Sequence, residues 1–272
     1  MKTRIISAAV AFVVALIVLL LHKTIIFEIA IALIAAGAVF ELLRAANCLQ
    51  FKIPSYVAIG YSFLYIFAGM MDNSYVWHYG LKGLLAIGLA LCFFKMHTQM
   101  NFYHVAFMAA CAYLVPAALA TLVSLNNMRF GIFLVVLTLC CAWLADSGAY
   151  FAGTFLGKHK LCPTISPKKT VEGVAGGAVT NGLLCLILCL VYDKIIRDGA
   201  VDFNYLMVIL TGVVSSVVGL AGDLSASLIK RQCGIKDYGN IMPGHGGVMD
   251  RFDSVLFVAP FIYFIVSAGL LF

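Results

Sequence analysis

Nine long apolar runs constrain this 272-residue chain more than any other feature. Hydrocarbon offers a peptide group no hydrogen-bond partner, so a run of about 20 apolar residues is stable in a bilayer only as a helix that closes its own bonds. The runs extend approximately from Ile5 to Leu21, Thr24 to Leu43, Ser55 to Met71, Gly83 to Phe94, Phe102 to Val123, Phe130 to Phe151, Val174 to Tyr192, Tyr205 to Gly222 and Ser254 to Phe272. The fourth is short, and only His22 and Lys23 part the first two. Composition excludes the alternative of a soluble globule, because 63% hydrophobic against 11% charged residues leaves too little polar surface to face water. The expected fold class is therefore all-α, a polytopic integral membrane protein of about nine transmembrane helices. Lys2 and Arg4 give the first run the charge of a signal peptide, but it is too long for one and no small-x-small site follows, so a retained helix is expected. Most of the nine cysteines lie inside apolar runs, where a thiol packs as a small hydrophobe, which argues against a disulfide scaffold.

Nine alternating crossings divide the cations unequally. One side collects thirteen of the eighteen: Lys2, Arg4, Arg44, Lys52, Lys95, Lys158, Lys160, Lys168, Lys169, Lys230, Arg231, Lys236 and Arg251. The other side has Lys23, Lys82, Arg129, Lys194 and Arg197, so the positive-inside rule predicts a cytoplasmic amino terminus. The net charge of +6 is thus a topology signal and implies no nucleic-acid partner.

Polarity is just as uneven along the chain. Residues 1–140 read as a helical scaffold with a role in dimer contacts, and Glu28, Glu41 and Arg44 within it read as interfacial or helix-end charges. Residues 141–272 carry the unusual chemistry, with two long cytoplasmic loops, Ala152 to Gly173 and Asp223 to Asp253. At the end of the sixth run, Asp146, Tyr150, Gly153 and Gly157 are spaced four, three and four apart, one helical stripe with a carboxylate and a smooth backbone. The glycines suit close helix packing, whereas a carboxylate near hydrocarbon needs a partner or a function. The segment Gly153 to Lys158 fails as a phosphate loop, because three residues rather than four separate its glycines and His159 follows the lysine.

Next come Lys158, Lys160, Ser166, Lys168, Lys169 and Thr170, four lysines and two hydroxyls leading into the start of a helix, which together suit an anion. The last cluster begins with Asp223, Ser227, Lys230 and Arg231 at i, i+4, i+7 and i+8, one helix face holding a carboxylate, a hydroxyl and two cations. Lys236 and Asp237 follow, then Pro243, Gly244, His245, Gly246 and Gly247, a permissive turn able to form an amide nest for an anion. Asp250, Arg251 and Asp253 close the segment. Separated carboxylates suit Mg²⁺ shared with substrate phosphates, which points to phosphoryl or nucleotidyl transfer. An ion-pair network, with Asp237 beside Lys236 and Asp250 beside Arg251, is the bland alternative.

The pattern from Ser227 through Lys230-Arg231, Lys236-Asp237, Gly239, Pro243, His245-Gly246-Gly247 and Asp250-Arg251 to Asp253 resembles the signature of the phosphatidate cytidylyltransferases, or CDP-diacylglycerol synthases. The stretches Asp146 to Tyr150 and Ser166 to Gly173 look like companion motifs of that family. The sequence departs from the pattern at Met242, Thr154 and Ala226. The resemblance implies a homodimeric enzyme of the inner (plasma) membrane, its site facing the cytoplasm, that converts CTP and phosphatidic acid to CDP-diacylglycerol and pyrophosphate. It further implies Mg²⁺, as one or two ions held by Asp223 and Asp250, and in some members a monovalent cation such as K⁺. Phosphates would be clamped by Lys168, Lys169, Lys230 and Arg231, with help from Lys158 and Lys236. Substrate contacts would involve Asp146, Tyr150, Ser166, Thr170, Ser227, Asp237, His245, Gly246, Gly247, Arg251 and Asp253. The rivals are a CTP-dependent lipid kinase, a cytidylyltransferase for an isoprenoid or ether lipid phosphate, and a cation-coupled secondary transporter.

Overall fold

A computed structural model describes residues 2–196, 201–240 and 246–272. The chain forms two compact units, Met1–Ser124 with Gln232–Arg251, and Leu125–Arg231 with Phe252–Phe272. His245, Met242 and Arg197 lie outside the described residues.

The first unit contains α1 (Lys2–Leu20), α2 (Ile25–Ala45), α3 (Lys52–Ala68), α4 (Ser74–Met96) and most of α5 (Phe102–Asn126). Thr24 starts α2, its hydroxyl accepting from the Ile26 N–H at 3.4 Å, and Arg44 complements the dipole in the last turn. Ala32, Ala35 and Ala38 are fully buried along α2, a small-residue face that lets α3 approach. The short fourth run is corrected: its helix has 23 residues, because the polar letters Ser74, His78 and Lys82 belong to its first turns.

The second unit contains α6 (Gly131–Leu156), the strands β1 (Lys160–Cys162) and β2 (Ser166–Thr170), α7 (Val171–Val191), α8 (Tyr205–Gln232) and α10 (Val255–Ser267). The four-residue α9 (Met249–Phe252) precedes α10. β1 and β2 pair antiparallel, Lys160 opposite Thr170 and Cys162 opposite Ser166, a hairpin where the sequence suggested only loop and helix start. Thr170 ends the hairpin and caps α7, its hydroxyl accepting from the Gly173 N–H at 3.1 Å. The second expected loop is likewise shorter than predicted, since α8 continues past Gly222 for ten further residues.

Glycines bring the backbones of this unit together. A Cβ at Gly177 would lie 3.0 Å from the Ala145 carbonyl oxygen, and one at Gly212 would lie 2.8 Å from Gly182 Cα. Buried Asn181 fastens the helices, its amide donating to the carbonyls of Cys141 on α6 at 3.2 Å and Gly212 on α8 at 2.9 Å. In a lipid-embedded protein such interhelical bonds and close contacts replace the hydrophobic drive that water supplies elsewhere.

Among the described residues six helices are long and apolar enough to cross a membrane: α2, α4, α5, α6, α7 with its continuation to Ile196, and α8. The remaining apolar runs form shorter helices, Ser7–Leu20 within α1, 17-residue α3 and 13-residue α10. The molecule is a multi-span helical membrane protein.

Candidate active site

The stripe of small residues on α6 explains how the polar groups of the second unit come together. A Cβ at Gly153 would lie 2.8 Å from Thr170 Oγ1, and one at Gly173 would lie 2.8 Å from the Ala149 carbonyl oxygen, so β2 and the start of α7 lie directly on α6. His159 reinforces this arrangement: its backbone N–H donates to Glu172 at 3.2 Å, and its Nδ1 lies 2.6 Å from the same carboxylate. Lys169, fixed one residue before the cap, forms an ion pair with Asp223 of α8. Roughly a quarter of each side chain is exposed, so water screens this pair only in part.

Three carboxylates share this neighbourhood. Asp146 on α6 interacts electrostatically with Asp223 and Lys169. Asp253, 8% exposed at the entry to α10, accepts from the Ser254 N–H at 2.7 Å. Burial, reinforced by the Asp223 carboxylate and more weakly by Asp146, pushes the Asp253 carboxyl up to about 7, while the Ser254 amide and Lys230 pull the other way. The result is an acidic centre of Asp146, Asp223 and Asp253 bordered by Lys169 and Lys230. Its donors are hard oxygens, and its crowding of negative charge favours a bound cation. Among the described residues no three His, Cys, Asp or Glu side chains form a ready-made chelate. An ion held here would have to take part of its coordination from phosphate or water, as Mg²⁺ commonly does.

The other expected residues are distributed more widely. Ser227 and Arg231 continue the α8 face, and Arg231 Nε reaches the Ile165 carbonyl at 3.4 Å. Ser166 begins β2, whereas Lys158, Lys168 and Tyr150 are exposed. Thr154 returns its hydroxyl bond to the Tyr150 carbonyl at 2.7 Å, and Ala226 is buried, so both departures from the family pattern are absorbed locally. Lys236, Asp237, Gly246, Gly247, Asp250 and Arg251 belong to the first unit. There Asp250 Oδ2 accepts from two backbone amides, Tyr238 N–H at 2.8 Å and Gly247 N–H at 2.9 Å. Gly247 thus gives its amide to the protein's own carboxylate, where the sequence suggested a nest for a substrate anion. Gly246, at φ +89, supplies the left-handed turn beside it.

Glu41 is the residue that sequence reasoning undervalued. Although fully buried, it accepts from the Val248 N–H at 3.1 Å and the Met249 N–H at 2.9 Å. Arg44 donates to the Tyr238 carbonyl. The available signal was a carboxylate inside an apolar run, which must find a partner or pay heavily in hydrocarbon.

Known proteins share this sequence over almost its whole length. The model of the cytidylyltransferase family matches residues 2–268. The phosphatidate cytidylyltransferase of Bacillus subtilis (strain 168) is 35% identical over 273 residues, covering 98% of each chain. Those of Staphylococcus saprophyticus and Staphylococcus haemolyticus are 36% and 32% identical, each over 96% of this chain and 97% of theirs. With polar residues gathered at helix ends and a match that leaves only the extreme termini uncovered, the chain belongs to the cytidylyltransferase family.

Proposed function

We propose that the protein transfers the cytidylyl group of CTP to phosphatidic acid, forming CDP-diacylglycerol and releasing pyrophosphate. The observation that carries the reading is the acidic centre of Asp146, Asp223 and Asp253 bordered by Lys169 and Lys230, in a chain that resembles phosphatidate cytidylyltransferases end to end. A phosphate oxygen of the lipid attacks the α-phosphorus of CTP, and the bond to the β-phosphate bridging oxygen breaks in line. The lipid phosphate is itself the nucleophile, so no side chain need be activated and the chain's work is placement and charge neutralisation. Asp223 would hold a Mg²⁺ ion, which would supply charge neutralisation at the nucleotide phosphates. Lys169 and Lys230 hold phosphate oxygens, and Arg231 extends the cationic face along α8. Lys169 is already engaged by Asp223, so it is presented from a fixed position.

The second ligand is open to test. The signature nominates Asp250, whereas Asp253 and Asp146 are the carboxylates that act electrostatically on Asp223 within the second unit. The cation count supports nine crossings with the amino terminus and the site in the cytoplasm, where CTP is found while the acyl tails remain in lipid. We further read the assembly as a homodimer.

The test uses purified protein, phosphatidic acid, Mg²⁺ and CTP labelled separately at the α and γ phosphates. Cytidylyl transfer places α label in lipid and γ label in pyrophosphate. A CTP-dependent kinase would place γ label in lipid, and label in neither product would refute the reading. Asp223→Asn should abolish transfer. Of Asp250→Asn and Asp253→Asn, the variant that also raises the Mg²⁺ concentration needed for residual turnover identifies the second ligand.

A further inference from the structure

Within the first unit, a single turn of α2 holds the chain at Tyr238 and at Val248 and Met249. Glu41 directs one oxygen to the Val248 N–H and the other to the Met249 N–H. Asp250 takes the Gly247 N–H and the Tyr238 N–H, so three consecutive amides, 247 to 249, point at two carboxylates. One turn along α2, Arg44 donates to the carbonyl of Tyr238, whose side chain is 1% exposed. Gly239 and Gly247 complete the fit, because a Cβ on either would overlap the Glu41 carboxylate. The points so held are joined in sequence to Lys230 and Arg231 on one side and to Asp253 on the other.

We propose that Glu41 is a positioning residue for nucleotide binding, acting through the backbone of residues 247–249, with Arg44 as its companion at Tyr238. The inference rests on the proposed cytidylyl transfer. Glu41 touches no reacting atom. It fixes the backbone of Val248 and Met249, between Gly246-Gly247 and Arg251, and hydrogen bonds to a carboxylate are strong enough to hold that stretch in one conformation. A residue with this role affects the nucleotide more than the lipid, whose tails lie in the bilayer.

Glu41→Gln preserves the side-chain size but sets an amide NH₂ against one of the two backbone donors. The expected result is a fall of about tenfold or more in kcat/KM for CTP, with KM for phosphatidic acid unchanged within about twofold. The purified variant should remain monodisperse, with Tm shifted by no more than a few degrees. Gly247→Ala, which crowds the same carboxylate, should show the same CTP-selective loss, and the double variant should lose little more than either alone. Activity of Glu41→Gln within about twofold of wild type overturns the inference. So does a loss that tracks the folded fraction and affects both substrates alike. Wild-type protein that puts no α label into lipid overturns the proposed reaction, a result distinct from active wild type with an indifferent Glu41.

Discussion

Gly222→Ala tests whether close backbone contact sets the acidic centre. A Cβ at this position would lie 2.5 Å from the Asp253 carbonyl oxygen, 3.0 Å from Phe257 Cδ2 and 3.2 Å from Ser254 Cα. Ordinary contact begins near 3.4 Å, so the Asp253 carbonyl must retreat by about 0.9 Å. The obstructing atom is backbone and has no rotamer by which to escape. Overpacking of this kind typically costs about 1–3 kcal/mol. Because Gly222 precedes Asp223 and the displaced residue is Asp253, the shift falls on two of the three carboxylates. A misplacement of about 1 Å in a reacting constellation can cost about 10²-fold in rate. Gly219→Ala, one turn earlier on α8, provides the control: its nearest neighbour is the side-chain atom Val258 Cγ2 at 3.3 Å, which can yield. Turnover would be measured as α label entering lipid from CTP, alongside Tm in detergent. Gly222→Ala should lose about two orders of magnitude in kcat while remaining folded, and Gly219→Ala should stay within about threefold of wild type. If Gly222→Ala keeps more than half of wild-type turnover, the contact does not position the carboxylates and the reasoning fails.

Two further outcomes follow from the lysines and from Asp253. Lys169→Ala should reduce turnover far more than Lys168→Ala, because Lys169 is paired with Asp223 while Lys168 is exposed; equal losses in the label-transfer assay would contradict this ordering. In EDTA-treated protein, the fold favours the neutral form of Asp253, whose carboxyl rises from its ordinary 3.8 to about 7. The associated stability is present below the unfolded value and is lost as pH rises through the folded one, so the Tm of wild type relative to Asp253→Asn should fall between about pH 4 and 7. A constant difference across that range would show that Asp253 is not held in the buried, acid-crowded setting described.

Hydrophobic length located the six helices long and apolar enough to span and the shorter α1, α3 and α10, because run length and lipid thickness leave little choice, but it gave no sign of the four-residue α9. Boundaries were less legible. Polar residues in the first turns of α4 and the last turns of α8 extend those helices beyond their apolar cores, since backbone bonding there no longer depends on hydrocarbon. The β1–β2 hairpin was hidden for another reason: Ser166, Pro167, Lys168 and Lys169 lack the alternation of a half-buried strand, and the pairing is imposed by Thr170 and Glu172 against α6 and His159. Asp223, Lys169 and Lys230 were legible as candidate site residues because charge is costly near lipid. The relation between Asp253 and Asp223 was not, as thirty residues separate them and only the α8–α10 contact at Gly222 brings them together. Glu41 was read only as an interfacial or helix-end charge, because its partners are backbone amides of a distant segment, which the sequence does not pair with it.

The bond between Glu41 and Met249 spans 208 positions. A ribosome adding about 5–20 residues per second takes about 10–40 s to cover that distance. Throughout this interval α2 is already made, yet its carboxylate lacks both of the amides that will receive it. A nascent chain must therefore keep an acidic group waiting near the end of an inserted helix until the last helices emerge. Biogenesis of this protein thus ends with a polar latching step. Truncation before residue 248 would leave that latch unformed even though most of the membrane helices had been inserted.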